Sequence, residues 1–236
     1  MSMRRIAIIA AFPDELKPLV RGWERIAHSS PGVALWRRQH GASEWLAGCG
    51  GIGLPAALAV WAEWEKTGPV DAVLSVGWAG ALTAEFRPGR AYRVSGVIDA
   101  ATGERFSVTA EVGKGWLITV AQAVDAAQKR HLAATSGAGL VDMEAAGLAR
   151  LAQKRGLPFY CLKAVSDGPG DRLPDFNRFI SNAGQFQRAR FVRFALVRPG
   201  QWLGLLRLAQ HSRQAAQALR VAILEILEGP GRAEGK

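Results

Sequence analysis

The sequence predicts an α/β protein, a layered sheet with helices packed on it and loops leaving the strand ends, and three observations carry that prediction. Residues 4–11 (RRIAIIAA) form a near-continuous, Ile-rich apolar run, the pattern of a strand buried on both faces. Two strand, glycine-loop and helix units follow in the first third of the chain, one through Gly48 to Gly53 and one through Gly77 to Gly80. The second half continues the alternation of helical and extended patterns.

Taken in order, Pro13 suits the first turn of a helix starting near Asp14, because its missing N–H and fixed φ cost nothing there. Residues 33–37 and 44–49 read as paired strands around a turn at Gly41, and the glycine link at 48–53 leads into a helix over 54–66, where apolar residues recur at three and four. Residues 71–76 are the next strand and Gly77-Trp78-Ala79-Gly80 the next tight loop. Strands are predicted at 91–98, 116–120 and 159–165, and a helix at 142–155 that Gly156-Leu157-Pro158 ends. The span 1–228 reads as one domain with a basic helical segment at 176–228, and 229–236 as a flexible tail rich in Gly, Pro and charge.

Composition excludes several classes. No apolar run approaches the roughly 20 residues that span a bilayer, and the amino terminus lacks a signal-peptide cleavage pattern, so a cytoplasmic protein is expected. Cys49 and Cys161 lie in apolar strand-like runs as buried thiols, and His28, His40, His131 and His211 have no metal-ligand spacing, so no metal or other cofactor is expected. The net charge of +10 raises nucleic acid as a partner, but no nucleic-acid fold motif accompanies the arginines. The 48–53 loop lacks the Lys-Ser ending of a P-loop and reads as a strand-to-helix turn.

Three carboxylates stand beside buried strands: Glu15 after the first, Glu144 at a helix start, and Asp167 after 159–165. Ligand groups converge at strand ends in α/β sheets, so three separated acids arriving there form a site-like pattern, although an acid at a helix start also serves as a capping or dipole partner. Apolar neighbours around Glu144 and Asp167 are expected to raise their pKa values. An acid that keeps its proton at neutral pH can protonate a departing purine, and an ionised carboxylate can accept hydrogen bonds from paired sugar hydroxyls.

The fragments at 8–15 (IIAAFPDE), 75–80 (SVGWAG), 141–145 (VDMEA) and 165–167 (VSD) resemble, in order and spacing, the methylthioadenosine/S-adenosylhomocysteine nucleosidases and related purine nucleoside phosphorylases. The resemblance covers most of residues 4–170. It implies a three-layer α/β/α sandwich with a central mixed sheet, a homo-oligomer with a dimer favoured, and no metal, with inorganic phosphate a co-substrate if the reaction is phosphorolysis. By the same resemblance Glu15 activates water, Met143 and Glu144 hold the ribose with Trp78 and Ser166 beside the substrate, and Asp167 protonates the purine. The chain departs from the family at three places. Trp78 replaces a small hydroxyl residue, residues 119–123 (TVAQA) replace a segment bearing a base-stacking aromatic, and Lys163 replaces an arginine. Residues 129–146, with 198–201 and 205–209, further resemble the hopanoid-associated branch, which implies a lipid-linked nucleoside, adenosylhopane, as substrate. Catalytically inactive binding of a nucleoside or lipid on the same fold is the rival reading.

Between Asp175 and Glu225 the chain has no acidic residue, while arginines alternate with Phe, Trp and Leu. A basic helix of this composition fits either an anionic membrane surface, with peripheral contact through 188–220 at an inner membrane, or the closing helix of the core with a solvated face.

Overall fold

The computed structural model describes residues 5–109 and 113–228. The first strand, β1 (Arg5–Ala10), is central, and its side chains alternate between two cores: Ala7 and Ile9 enter one, Ile6, Ile8 and Ala10 the other. That double burial is why its sequence reads as a continuous apolar run rather than an alternating one. Pro13 opens the one-turn helix α1 (Pro13–Leu16). The strands β2 (Glu24–Ile26), β3 (Ala34–His40) and β4 (Ser43–Cys49) form an antiparallel meander, with Gly41 at a φ of +57° in the β3–β4 turn, and β4 lies parallel to β1.

Helix α2 (Leu54–Glu65) then crosses to β5 (Ala72–Ala81), parallel to β1 on its other side. The short strands β6 (Ala91–Arg93), β7 (Gly96–Asp99), β8 (Arg105–Ser107) and β9 (Trp116–Thr119) follow, then helix α3 (Ala126–Ser136), β10 (Leu140–Asp142), helix α4 (Ala145–Arg155) and β11 (Phe159–Asp167). Among the described residues these join one mixed sheet in the order β2-β3-β4-β1-β5-β10-β9-β7-β8, with β11 pairing β5 and β6. Residues of α2 and α4 fill the core on one face, and Leu16 with Ala215, Leu219 and Ile223 of the final helix fill the other. The result is the expected helix, sheet, helix layering with a mixed central sheet.

Four expectations change. Residues 77–80 are not a loop but the second half of β5, which runs ten residues because β11 accompanies it as far as Gly80. The glycines that suggested a turn instead let neighbouring side chains approach the strand. The 91–98 segment breaks at Val94-Ser95 into β6 and β7, which pair with different strands. Leu140–Asp142 is a strand, so the helix read from residue 142 starts at Ala145. The basic segment is two helices, α5 (Arg188–Leu196) and α6 (Trp202–Glu228), separated by a 3₁₀ turn at Pro199–Gln201. The 229–236 tail lies outside the described residues.

Candidate active site

Three strands deliver the three acids to the second half of β5. Glu15 follows β1, Asp167 ends β11 opposite Gly80, and β10, which lies across from Gly80 through Val141, leads to Glu144. Glu15 and Asp167, 152 positions apart in sequence, thereby reach the same half of β5, and Glu144 follows the strand paired with it.

Glu15 is 3% exposed. Its Oε2 accepts the N–H groups of Ala11 (2.9 Å) and Phe12 (2.7 Å), and its Oε1 accepts that of Trp78 (2.6 Å). The helical turn positions it: Glu15 is the third residue of α1 and reaches back to the cap N–H, half of a capping box. Burial pushes its carboxyl up to about 7, against the three backbone donors and the charge of Lys163, which pull it down. A group with that pKa divides between acid and base near neutral pH, the condition for general-base work.

Gly77 makes this placement possible. Its φ is +138°, and a Cβ there would stand 2.8 Å from Glu15 Oε1. Gly77→Ala is therefore expected to cost on the order of 1–3 kcal/mol of stability through strain and displaced carboxylate. Urea unfolding checks this; a variant as stable as the native protein would show that β5 and Glu15 separate freely.

Glu144 caps the start of α4, half-buried overall, and its Oε1 accepts the Gly53 N–H at 2.7 Å. Burial and the neighbouring charge of Asp142 raise it to about 7, opposed by Lys163 and the Gly53 N–H. Asp142 itself binds Lys163 Nζ at 2.8 Å through Oδ2, which also accepts the Ala145 N–H, while its Oδ1 accepts the Thr119 hydroxyl at 2.6 Å. Lys163 is 1% exposed. Burial works against its charge, but Asp142, Cys161 and Glu144 hold the ammonium above its ordinary value. Glu15, Asp142 and Glu144 thus share one buried cation.

Asp167 is buried, as expected, but it is not a lone desolvated acid. Lys129 of α3, 3% exposed, forms an ion pair with Oδ2 and donates to the Gly168 carbonyl at 2.8 Å, and the Ser166 hydroxyl donates to Oδ1 at 2.5 Å. Gly80 leaves room for this pair: a Cβ there would sit 3.1 Å from Lys129 Cε and 3.3 Å from Asp167 Oδ2. Lys129 carries no signal in the sequence, where it opens a Lys-Arg-His run that reads as a solvated helix face.

Trp78 offers its backbone to Glu15, while its ring packs on Phe12 at 5.9 Å, and Phe12 meets Phe186 edge-on at 6.2 Å. Met143 is half-buried immediately before Glu144. Residues 181–186 roof this region: Ile52 N–H donates to the Gly184 carbonyl (2.8 Å) and Gln185 Nε2 to the Gly50 carbonyl (2.5 Å). The Asn177 side chain exchanges two hydrogen bonds with the backbone of Ala123, which fastens the Phe176–Phe179 turn over the 119–123 segment. A cleft of about 540 Å³ lies between residues 170–173 and the first turn of α6; its lining starts at Gly170, three residues past Asp167, and does not include the three acids.

Cys49 and Cys161 are free and buried, and burial pushes each thiol up to about 12, so neither is an available nucleophile at neutral pH.

Residues 100–195 match the model of the family described as Phosphorylase superfamily. No match was found among curated proteins. Among solved structures, the 5′-methylthioadenosine nucleosidase of Arabidopsis thaliana in apo form superposes with a TM-score of 0.74 at 16% identity, covering 100% of this chain and 98% of that one. A mutant MTAN of Helicobacter pylori with 5′-methylthioadenosine in its active site gives 0.71 at 15% identity, over 97% of this chain and 99% of that one. The futalosine hydrolase of Helicobacter pylori gives 0.71 at 16%, over 96% and 98%. The chain therefore has a nucleoside phosphorylase- and nucleosidase-like α/β fold.

Proposed function

We propose that this protein cleaves the N-glycosidic bond of a purine nucleoside, with water as the nucleophile. The observation that carries the reading is Glu15, a buried carboxyl held near 7 by its surroundings and bonded to the Trp78 N–H of β5, with Asp167 beside Gly80 of the same strand and Glu144 near enough for the two charges to act on each other. In this reading Glu15 orients and deprotonates water as the ribose becomes oxocarbenium-like, and Glu144, with Met143 beside it, accepts hydrogen bonds from the sugar hydroxyls. Asp167, bonded to the Lys129 ammonium and the Ser166 hydroxyl, relays a proton from the Lys129 ammonium to the departing base, leaving Lys129 as the neutral amine. Phe12, Trp78 and Phe186 give the apolar wall that excludes water from the developing cation.

Hydrolysis is favoured over phosphorolysis because Trp78 of β5 stands where the resembled family has a small hydroxyl residue, and its indole offers no acceptor and one donor. The substrate is an adenosine derivative, and the resemblance of residues 129–146 to the hopanoid-associated branch favours a lipid-linked 5′ group such as that of adenosylhopane over methylthioadenosine.

Base release is measured with purified protein on adenosine, methylthioadenosine, S-adenosylhomocysteine, inosine and an adenosylated lipid, with and without phosphate. Release in phosphate-free buffer is expected. A strict phosphate requirement would replace hydrolysis by phosphorolysis, and no release from any of them would leave a nucleoside-binding protein on this fold.

A further inference from the structure

The two helices of the carboxyl-terminal segment leave an apolar face uncovered. Val192, Leu196, Val197, Trp202, Leu203 and Leu206 are 52%, 64%, 73%, 48%, 71% and 66% exposed, and α5 has no buried residue. They belong together: Val192 and Leu196 are one turn apart on α5, Leu203 and Leu206 one turn apart on α6, and Trp202 Nε1 donates to the Ala195 carbonyl at 2.8 Å, joining the two helices. The platform beneath is rigid, since Phe191 and Phe194 of α5 pack on Phe179, which is 3% exposed.

Charge on the segment itself has one sign, and carboxylates reach it from other elements as Asp14, paired with Arg188 at 2.6 Å, and Asp171, which lines a cleft with Gly204 and Arg207. Arg190, Arg193, Arg198 and Arg207 are exposed, and residues 176–224 contain no Asp or Glu. The Arg198 guanidinium carbon stands 3.9 Å from the Phe194 ring centroid and its Nη1 donates to the Phe194 carbonyl at 3.4 Å, a cation held on the aromatic platform at the edge of the face. We propose that this face docks on a lipid bilayer carrying anionic headgroups, with Leu196, Val197, Leu203 and Leu206 entering the interface and the arginines binding the headgroup phosphates. Trp202 fits the same level, where an amphipathic ring is favoured. A second copy of the chain is a poorer occupant: a two-fold interface sets a patch against itself, and here arginine would meet arginine with no acid in the segment to answer it. Among the described residues no helix is long and apolar enough to cross a membrane, so the contact is peripheral.

The docking is independent of the reaction proposed above and is tested without it. The full chain is sedimented with vesicles of phosphatidylcholine alone and with vesicles containing phosphatidylglycerol. Co-sedimentation with the anionic vesicles, weakened by high salt and absent with phosphatidylcholine, is expected. Arg193→Glu should weaken it roughly five-fold or more, on the scale of one surface arginine at an anionic membrane. Leu203→Glu with Leu206→Glu should abolish it while leaving the thermal unfolding midpoint unchanged, because both side chains are already solvent-exposed. Failure of the native protein to sediment with anionic vesicles overturns the proposal. So does a change of oligomeric state in the double variant without lipid, since the face would then join copies.

Discussion

Glu15→Gln is expected to lower base release by roughly 10²–10⁴-fold, the range for loss of a positioned general base. The native protein should show kcat/KM rising with pH and levelling above about 7, because only the ionised form of Glu15 accepts a proton and burial has raised it to that value. The amide removes this limb of the profile. It also sets a side-chain NH₂ against a backbone N–H, since both Glu15 oxygens now accept from the main chain, so activity is to be compared per folded molecule. A variant within ten-fold of the native rate, with the pH limb intact, would remove Glu15 from the chemistry.

Lys163→Met should produce the largest loss of stability, about 3–5 kcal/mol, which is the scale for removing one partner of a buried ion pair. The substitution leaves Asp142 without its cation and removes the charge that opposes the raised carboxyls of Glu15 and Glu144. The loss should shrink in part as pH falls below about 7, where Glu144 and Glu15 take up protons and only the Asp142 carboxylate is left without a partner cation. Adding Asp142→Asn should recover part of it. Denaturant unfolding at pH 5.5 and 8 decides the matter: a loss under about 1 kcal/mol at both would mean that the pair is not held as ions.

Much of the layering was legible because burial on both faces leaves a plain mark, as in residues 4–11, and because Pro13 and Gly156 delimit helices by backbone chemistry. The three acids were legible from their places beside apolar strands. Their partners were not. Lys129 looks like a solvated residue because its burial depends on its side chain reaching Asp167 and Gly168 at the end of β11, a tertiary fact with no local periodicity. Gly77 to Gly80 looked like a turn because glycine marks both turns and close approaches, and sequence alone does not distinguish a chain that bends from one that makes room. The long basic segment concealed a break at Pro199, and its two ends have different fates: Ala215, Leu219 and Ile223 enter the core, whereas residues 192–206 stay outside.

The bond from Gln185 to Gly50 ties together residues 135 positions apart, and that from Gly53 to Glu144 another 91. During synthesis the sheet has all its strands once residue 167 has emerged, yet nothing then covers the ends where the acids gather. Completion waits for the last part of the polypeptide, because Ala215, Leu219 and Ile223 of α6 close the second core, so a ribosome-bound intermediate holds a sheet with one apolar face bare. Premature termination after β11 would accordingly yield an aggregation-prone chain rather than a smaller folded protein.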